Sequence, residues 1–335
     1  MNSLLAVFHC ISRRIFQQRR GHHPCRLASI AIAALSLAAI SAPLVPATAG
    51  QRNDQDPRGR IRAEVSLVSV LSSVLDKNGR PALDLTAEQF EIYEEGVKQK
   101  IELAEQETQQ PLDIALMIET SWSEYTDLDF ETDAAARFIQ KIVRPADRLA
   151  LFEFSETVSQ ITPFSSNVPT LQAALKHIPR GAGTNLYDAV YLGAQSLARN
   201  PAGRRRVIVL VTDGGETGSG ADFESARRAA LQADALLYTI LVRVVKNESG
   251  RNTAGEHALE TIADSTGGAT YYPKDTNELG AMFDQINREL RNQYRLVYYP
   301  VPRPPAGAYR TLDVRVKCEC KVRSRKAYFS GGRAE

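Results

Sequence analysis

"LMIETSWSEYT" (116–126) is an apolar run that ends on a lone carboxylate, Glu119, and is followed at once by serines at alternate positions, Ser121 and Ser123. Taken alone, two serines after a hydrophobic stretch read as the N-cap of a helix, because a hydroxyl satisfies a free N–H there. The other reading is a hard-cation site built from hydroxyls, and the rest of the chain has to decide between them. Extended upstream, the run becomes "LDIALMIE" (112–119), apolar almost throughout. A short continuous apolar run of this kind fits a strand buried on both faces of a parallel sheet.

Working outward, runs of the same type recur at "RLALFEFS" (148–155), "RRVIVLVTD" (205–213), "ALLYTILV" (235–242) and "GATYY" (268–272). Between them lie amphipathic stretches at about 130–143, 168–177, 186–199, 223–233, 257–265 and 277–291. A short strand near "SQITPF" (159–164) is expected to run antiparallel on the edge. Strands alternating with helices predict a doubly wound, mostly parallel six-stranded α/β sheet flanked by helices, over residues 111–292. The flanks read differently. Residues 61–105 are strand-like, with turns at Asn78-Gly79 and Glu95-Gly96, but carry too little apolar mass to stand alone comfortably. Residues 293–331 return to strands with no helices to pair with. They are expected to pack with the N-terminal segment as one small β-rich module, the α/β unit being inserted in it.

In an open parallel sheet, ligands bind beyond the carboxyl ends of the strands. Three loops there carry oxygen ligands: Glu119, Ser121 and Ser123 after the first strand, Thr184 in "RGAGTNLYDA" (180–189), and Asp213 at the tip of "VIVLV". Three hydroxyls and two carboxylates form an all-oxygen set that suits Mg²⁺, Mn²⁺ or Ca²⁺ rather than zinc or copper.

At these residues the sequence resembles the von Willebrand factor A (VWFA) domain and its metal-ion-dependent adhesion site (MIDAS), whose pattern is Asp-x-Ser-x-Ser, then a Thr, then an Asp. "GTNLYDAV", "VIVLVTDGGE", "ALETIADSTGG" and "INRELRNQYRLVYYP" share the family's phrasing. Over about 61–329 the chain is also similar to exported bacterial proteins, of a type common in acidobacteria, in which an A domain joins a β-module beginning "LTAEQFEIYEEG". The resemblance implies a doubly wound fold, a divalent cation at Glu119, Ser121, Ser123, Thr184 and Asp213, and a protein partner that donates a carboxylate to the metal. Two positions depart from it: Glu119 stands where the family has Asp, and Trp122 where it has Gly. The longer acid either takes the place of a water on the cation or overshoots it. A metal-free interaction scaffold with a degenerate site is therefore the alternative, and a metal-dependent hydrolase a further one.

Competing readings of the other motifs are plainer. "DGGETGSG" lacks the Lys-Ser/Thr of a phosphate loop and the last glycine of a dinucleotide fingerprint. Asp188 reads as helix support, Glu216 and Asp222 as solvated charges, and Arg204–Arg206 as a solvated cluster. His177 and His257 lie where no triad with Ser121 is expected, so no catalytic residue is assigned.

The chain has 335 residues, 43% hydrophobic and 24% charged, as in ordinary globular proteins. Its first 49 residues hold five arginines and no acid, then the apolar run "LASIAIAALSLAAISAPLV" (27–45) and a small-residue site ending at Ala49. That pattern is a secretory signal peptide, with an uncleaved anchor as the alternative. Residues 50–60 read as a flexible lead-in. Export to the periplasm, the cell envelope or the medium is expected. Removal of the arginines turns the net charge slightly negative, which gives no reason to expect a nucleic acid or an anionic membrane as partner. Cys318 and Cys320, in "VKCECKV", are placed on one strand face, where they would be poorly aimed to bridge.

Overall fold

The computed structural model describes residues 67–107, 109–121, 128–242 and 253–331. The leader (1–49), the lead-in (50–60), Trp122 and Ser123 lie outside the described residues. Among those described, no helix is long and apolar enough to cross a membrane.

The described residues open with four strands, β1 (Val68–Leu75), β2 (Phe90–Glu94), β3 (Val97–Gln99) and β4 (Ile101–Glu107). The α/β part follows: β5 (Leu112–Glu119), α1 (Leu128–Ile142), β6 (Arg148–Phe154), β7 (Val158–Gln160), α2 (Val168–Leu175) and α3 (Leu186–Ala198). It continues with β8 (Arg205–Thr212), α4 (Phe223–Gln232), β9 (Ala235–Leu241), α5 (Thr253–Thr266), β10 (Ala269–Tyr271) and α6 (Leu279–Leu290). Four strands close the described part: β11 (Gln293–Tyr298), β12 (Tyr309–Val316), β13 (Lys321–Ser324) and β14 (Ala327–Phe329).

The central sheet has the order β10-β9-β8-β5-β6-β7. Its pairs are parallel except for β7, which runs antiparallel on the edge as expected. All eight residues of β5 are buried, because helices cover both sides. Alternation divides them: Leu112, Ile114, Leu116 and Ile118 face one layer with α1, α2 and α6. Ala115 and Met117 face the other, with α3, α4 and α5. On the first side Phe138 of α1 stacks on Phe283 of α6, ring centroids 4.7 Å apart. On the second, a Cβ at Gly193 would stand 2.8 Å from Met117 Sδ, so the glycine lets α3 lie close to the sheet.

This order sets the position of the site. From β5 the chain winds outward through β6 and β7, then returns to the other side of β5 and winds through β8, β9 and β10. The reversal between β5 and β8 is the topological switch point, where connecting loops diverge and leave a crevice at the carboxyl ends of the strands. Glu119 ends β5 and Thr212 ends β8.

The terminal segments interleave as two four-stranded antiparallel sheets, β13-β1-β11-β4 and β14-β12-β2-β3. Val70, Val74, Phe90, Ile92, Leu296, Leu312 and Val314 form their shared core. A buried carboxylate sits within it: Glu94 accepts hydrogen bonds from Tyr298 Oη at 2.7 Å, Tyr328 Oη at 3.1 Å and Arg310 Nε at 2.7 Å. Three hydrogen bonds to both oxygens, one of them from a guanidinium, offset the cost of desolvating the charge. Helix α6 runs almost directly into β11, the centre of one sheet, and Glu289 near its end accepts Arg323 Nη1 of β13 at 2.7 and 2.8 Å.

Two sequence expectations are corrected. Cys318 and Cys320 are bonded to each other, with Cα atoms 5.2 Å apart. They lie not on a strand but in the turn joining β12 to β13, where Cys320 N–H donates to Cys318 C=O at 2.8 Å. Folding the chain over in this way turns the two side chains toward each other. The arginines at 204–206 are not solvated either. Arg204 Nε donates to Asp113 at 2.6 Å, buried Arg205 donates to Leu290 C=O at 2.8 Å, and Arg206 donates to Ala233 C=O at 2.9 Å. They hold the amino end of the sheet together, opposite the site.

Candidate metal centre

Glu119, at the last position of β5, turns its side chain into the switch-point crevice and is fully buried. Four donors meet it. Ser121 Oγ and Thr184 Oγ1 each donate to Oε1 at 2.7 Å. Thr212 Oγ1 donates to Oε2 at 2.6 Å, and Asp213 N–H donates to the same oxygen at 3.1 Å. Burial pushes the Glu119 carboxyl above the usual carboxylate range and the neighbouring Asp213 pushes it further; the three hydroxyl donors pull the other way without prevailing.

The loops that present these groups are tied to one another. Thr184 N–H donates to Thr217 Oγ1 at 2.8 Å, and Thr184 C=O accepts from Thr217 N–H at 2.8 Å. Asp213 Oδ1 accepts from Gly215 N–H at 2.6 Å. A Cβ at Gly215 would stand 2.9 Å from Asp213 Oδ1 and 3.4 Å from Thr184 Oγ1, so a glycine there keeps open the space these two oxygens share. Asp188, on the first turn of α3, accepts from Gly220 N–H at 2.9 Å and Ala221 N–H at 2.8 Å, binding the loop after β8. Asp222 is exposed, as expected of a solvated charge, whereas Glu216 is half-buried and bonded within its loop. Glu216 accepts from Ser219 N–H and Oγ, both at 2.7 Å, and from Tyr187 N–H at 3.2 Å. Asp222 caps α4 through Ser225 N–H at 2.7 Å.

Four of the five sequence-derived ligands are therefore together: Glu119, Ser121, Thr184 and Asp213. Ser123 lies outside the described residues. Thr212 was missed, and its only sequence signal is its place beside Asp213 at a strand tip. The donor chemistry fits a hard divalent cation. Each hydroxyl donates its one proton to Glu119, Thr212 Oγ1 also accepts from Gly214 N–H at 3.0 Å, and two nearby carboxylates supply negative charge. Among the described residues no three His, Cys, Asp or Glu side chains cluster for a metal, so such a cation would rest on hydroxyls.

Fold and cluster together define a doubly wound α/β domain with an oxygen-lined site at its switch point. The sequence profile of the von Willebrand factor type A domain matches residues 113–285, just over half of the chain, and the chain belongs to that family. Similar solved structures include BatB from Bacteroides thetaiotaomicron, at 15% identity and TM-score 0.42, covering 54% of this chain and 100% of that one. The PilB minor pilin from Streptococcus sanguinis is 15% identical with TM-score 0.45, over 55% of this chain and 62% of its own. Proximal thread matrix protein 1 from the mussel byssus, with a zinc-occupied MIDAS motif, is 14% identical with TM-score 0.46, over 56% and 50%. No curated protein matches the chain.

Proposed function

We propose that this chain is an exported binding protein whose A domain holds Mg²⁺ or Mn²⁺, with Ca²⁺ as an alternative, and offers it to a carboxylate of a protein partner. The observation that carries this reading is the convergence of Ser121, Thr184 and Glu119 beside Asp213 at the switch point. Ser121 and Thr184 would hold the cation by their lone pairs, with Ser123 completing the serine pair, and Glu119 and Asp213 would act directly or through water. The cation would supply positive charge where two carboxylates lie close, together with an open position for an oxygen ligand. Export rests on the leader pattern of residues 1–49.

A second reading has its own observation. Both Glu119 oxygens already receive two donors each, so the longer acid can satisfy the site by itself and leave a metal-free interaction scaffold. Calorimetric titration of Mg²⁺ or Mn²⁺ into the full chain separates the two. Saturable heat, weakened at least about tenfold by Asp213→Ala, is the expected result. An absence of heat, or equal heat in the variant, would favour the scaffold.

A further inference from the structure

Away from the switch point, a cavity of about 320 Å³ opens where α4 meets β12 and β14, a volume within the range of small-molecule sites. Its apolar side is made by Tyr309, Phe329 and Leu231. Tyr309 and Phe329 are directly paired across β12 and β14, and their rings meet edge-on with centroids 5.3 Å apart. Tyr309 is 45% exposed, so part of its ring faces the cavity and solvent. The other side is cationic. Arg227 and Arg228 project from α4 onto the rim. Arg227 is half-buried and spoken for, since Nη2 donates to Glu224 at 2.7 Å. Arg228 is exposed; its charge is felt by Asp222, whose carboxylate caps α4 through Ser225 N–H.

A concave aromatic wall facing a guanidinium without a dedicated carboxylate matches a ligand with an apolar body and one anionic oxygen pair. The guanidinium fork fits a carboxylate bidentately, and the exposed ring supplies area at low conformational cost. We propose that this cavity is a binding site for a carboxylate carried on an aromatic or branched apolar group. Arg228 takes the carboxylate, and Tyr309 with Phe329 takes the apolar body. The site is separate from the cation reading and does not depend on it. The same chemistry is offered by a small free acid and by the C-terminus of a polypeptide ending in an apolar residue.

Calorimetry or ligand-observed NMR on the full chain tests this with three probes: 3-phenylpropionate, a tripeptide ending in phenylalanine, and the same tripeptide amidated at its C-terminus. Binding of either acid, weakened about tenfold by amidation or by Arg228→Ala, is expected from the loss of a charge-assisted pair. Tyr309→Ala should weaken binding as well, and Asp213→Ala should leave it unchanged. Arg228 is exposed, so its variant should keep the wild-type melting temperature. Tighter binding of phenylpropionate identifies a small acid as the ligand, and tighter binding of the tripeptide identifies a peptide C-terminus. The proposal fails if neither acid binds, if the amide binds as well as the acid, or if Arg228→Ala binds like the wild type.

Discussion

Glu119→Asp is expected to weaken the cation-free chain and to make its stability depend on divalent cations. Shortening the arm by one methylene draws the carboxylate back from the hydroxyls of Ser121, Thr184 and Thr212 and from the Asp213 N–H, all of which now end on it. A buried donor left without an acceptor costs about 1–3 kcal/mol, and the loss should approach the upper figure because several donors share one carboxylate. The space released is lined by hydroxyl and carboxylate oxygens, which suit a hydrated divalent ion. A cation that binds only the folded state adds about 2.7 kcal/mol at a hundredfold excess over its dissociation constant. Thermal melts in EDTA and in Mg²⁺ should therefore diverge more for the variant than for the wild type. Identical melts for the variant in both conditions would mean that these hydroxyls hold no cation, and the metal reading would go with them.

Gly268→Ala should have the largest effect on folding, a loss above about 4 kcal/mol or failure to fold. Helix α5 ends in a Schellman motif: Gly267 adopts a φ of 85°, its N–H donates to Asp264 C=O at 3.2 Å, and Gly268 N–H donates to Ala263 C=O at 2.9 Å. The chain then passes so close to β9 that a Cβ at Gly268 would fall 1.8 Å from Leu237 C=O. That neighbour is backbone in the central sheet and cannot turn aside as a side chain could. Gly280→Ala is the control. Nothing lies within 4 Å of its added carbon, and alanine in helix α6 should stabilise by up to about 1 kcal/mol. Chemical denaturation of both variants checks the pair, and equal stabilities would contradict the packing described for the α5–β10 turn.

The strands and helices of the A domain were legible because each layer demands its own spacing. Runs apolar at every position belong to strands covered on both faces, as "LDIALMIE" shows, and the stretches between them repeat at helical spacing. Ser121, Thr184 and Asp213 could be selected because the chain order of a doubly wound sheet brings the ends of β5 and β8 together at its switch point. Long-range pairing was not legible in the same detail. The arginines at 204–206 looked solvated because their partners, Asp113, Leu290 and Ala233, lie far apart in sequence. Cys318 and Cys320 looked like strand residues until the β12–β13 turn folded them together.

The sequence by itself determined the order of strands and helices and the oxygen chemistry at the switch point, since both depend on residue type and local spacing. Only the tertiary structure decided what Glu119 does with its additional methylene: it reaches across the crevice and gathers four donors from three loops. That outcome depends on distances set by sheet packing, which no local pattern in "LMIETSWSEYT" encodes.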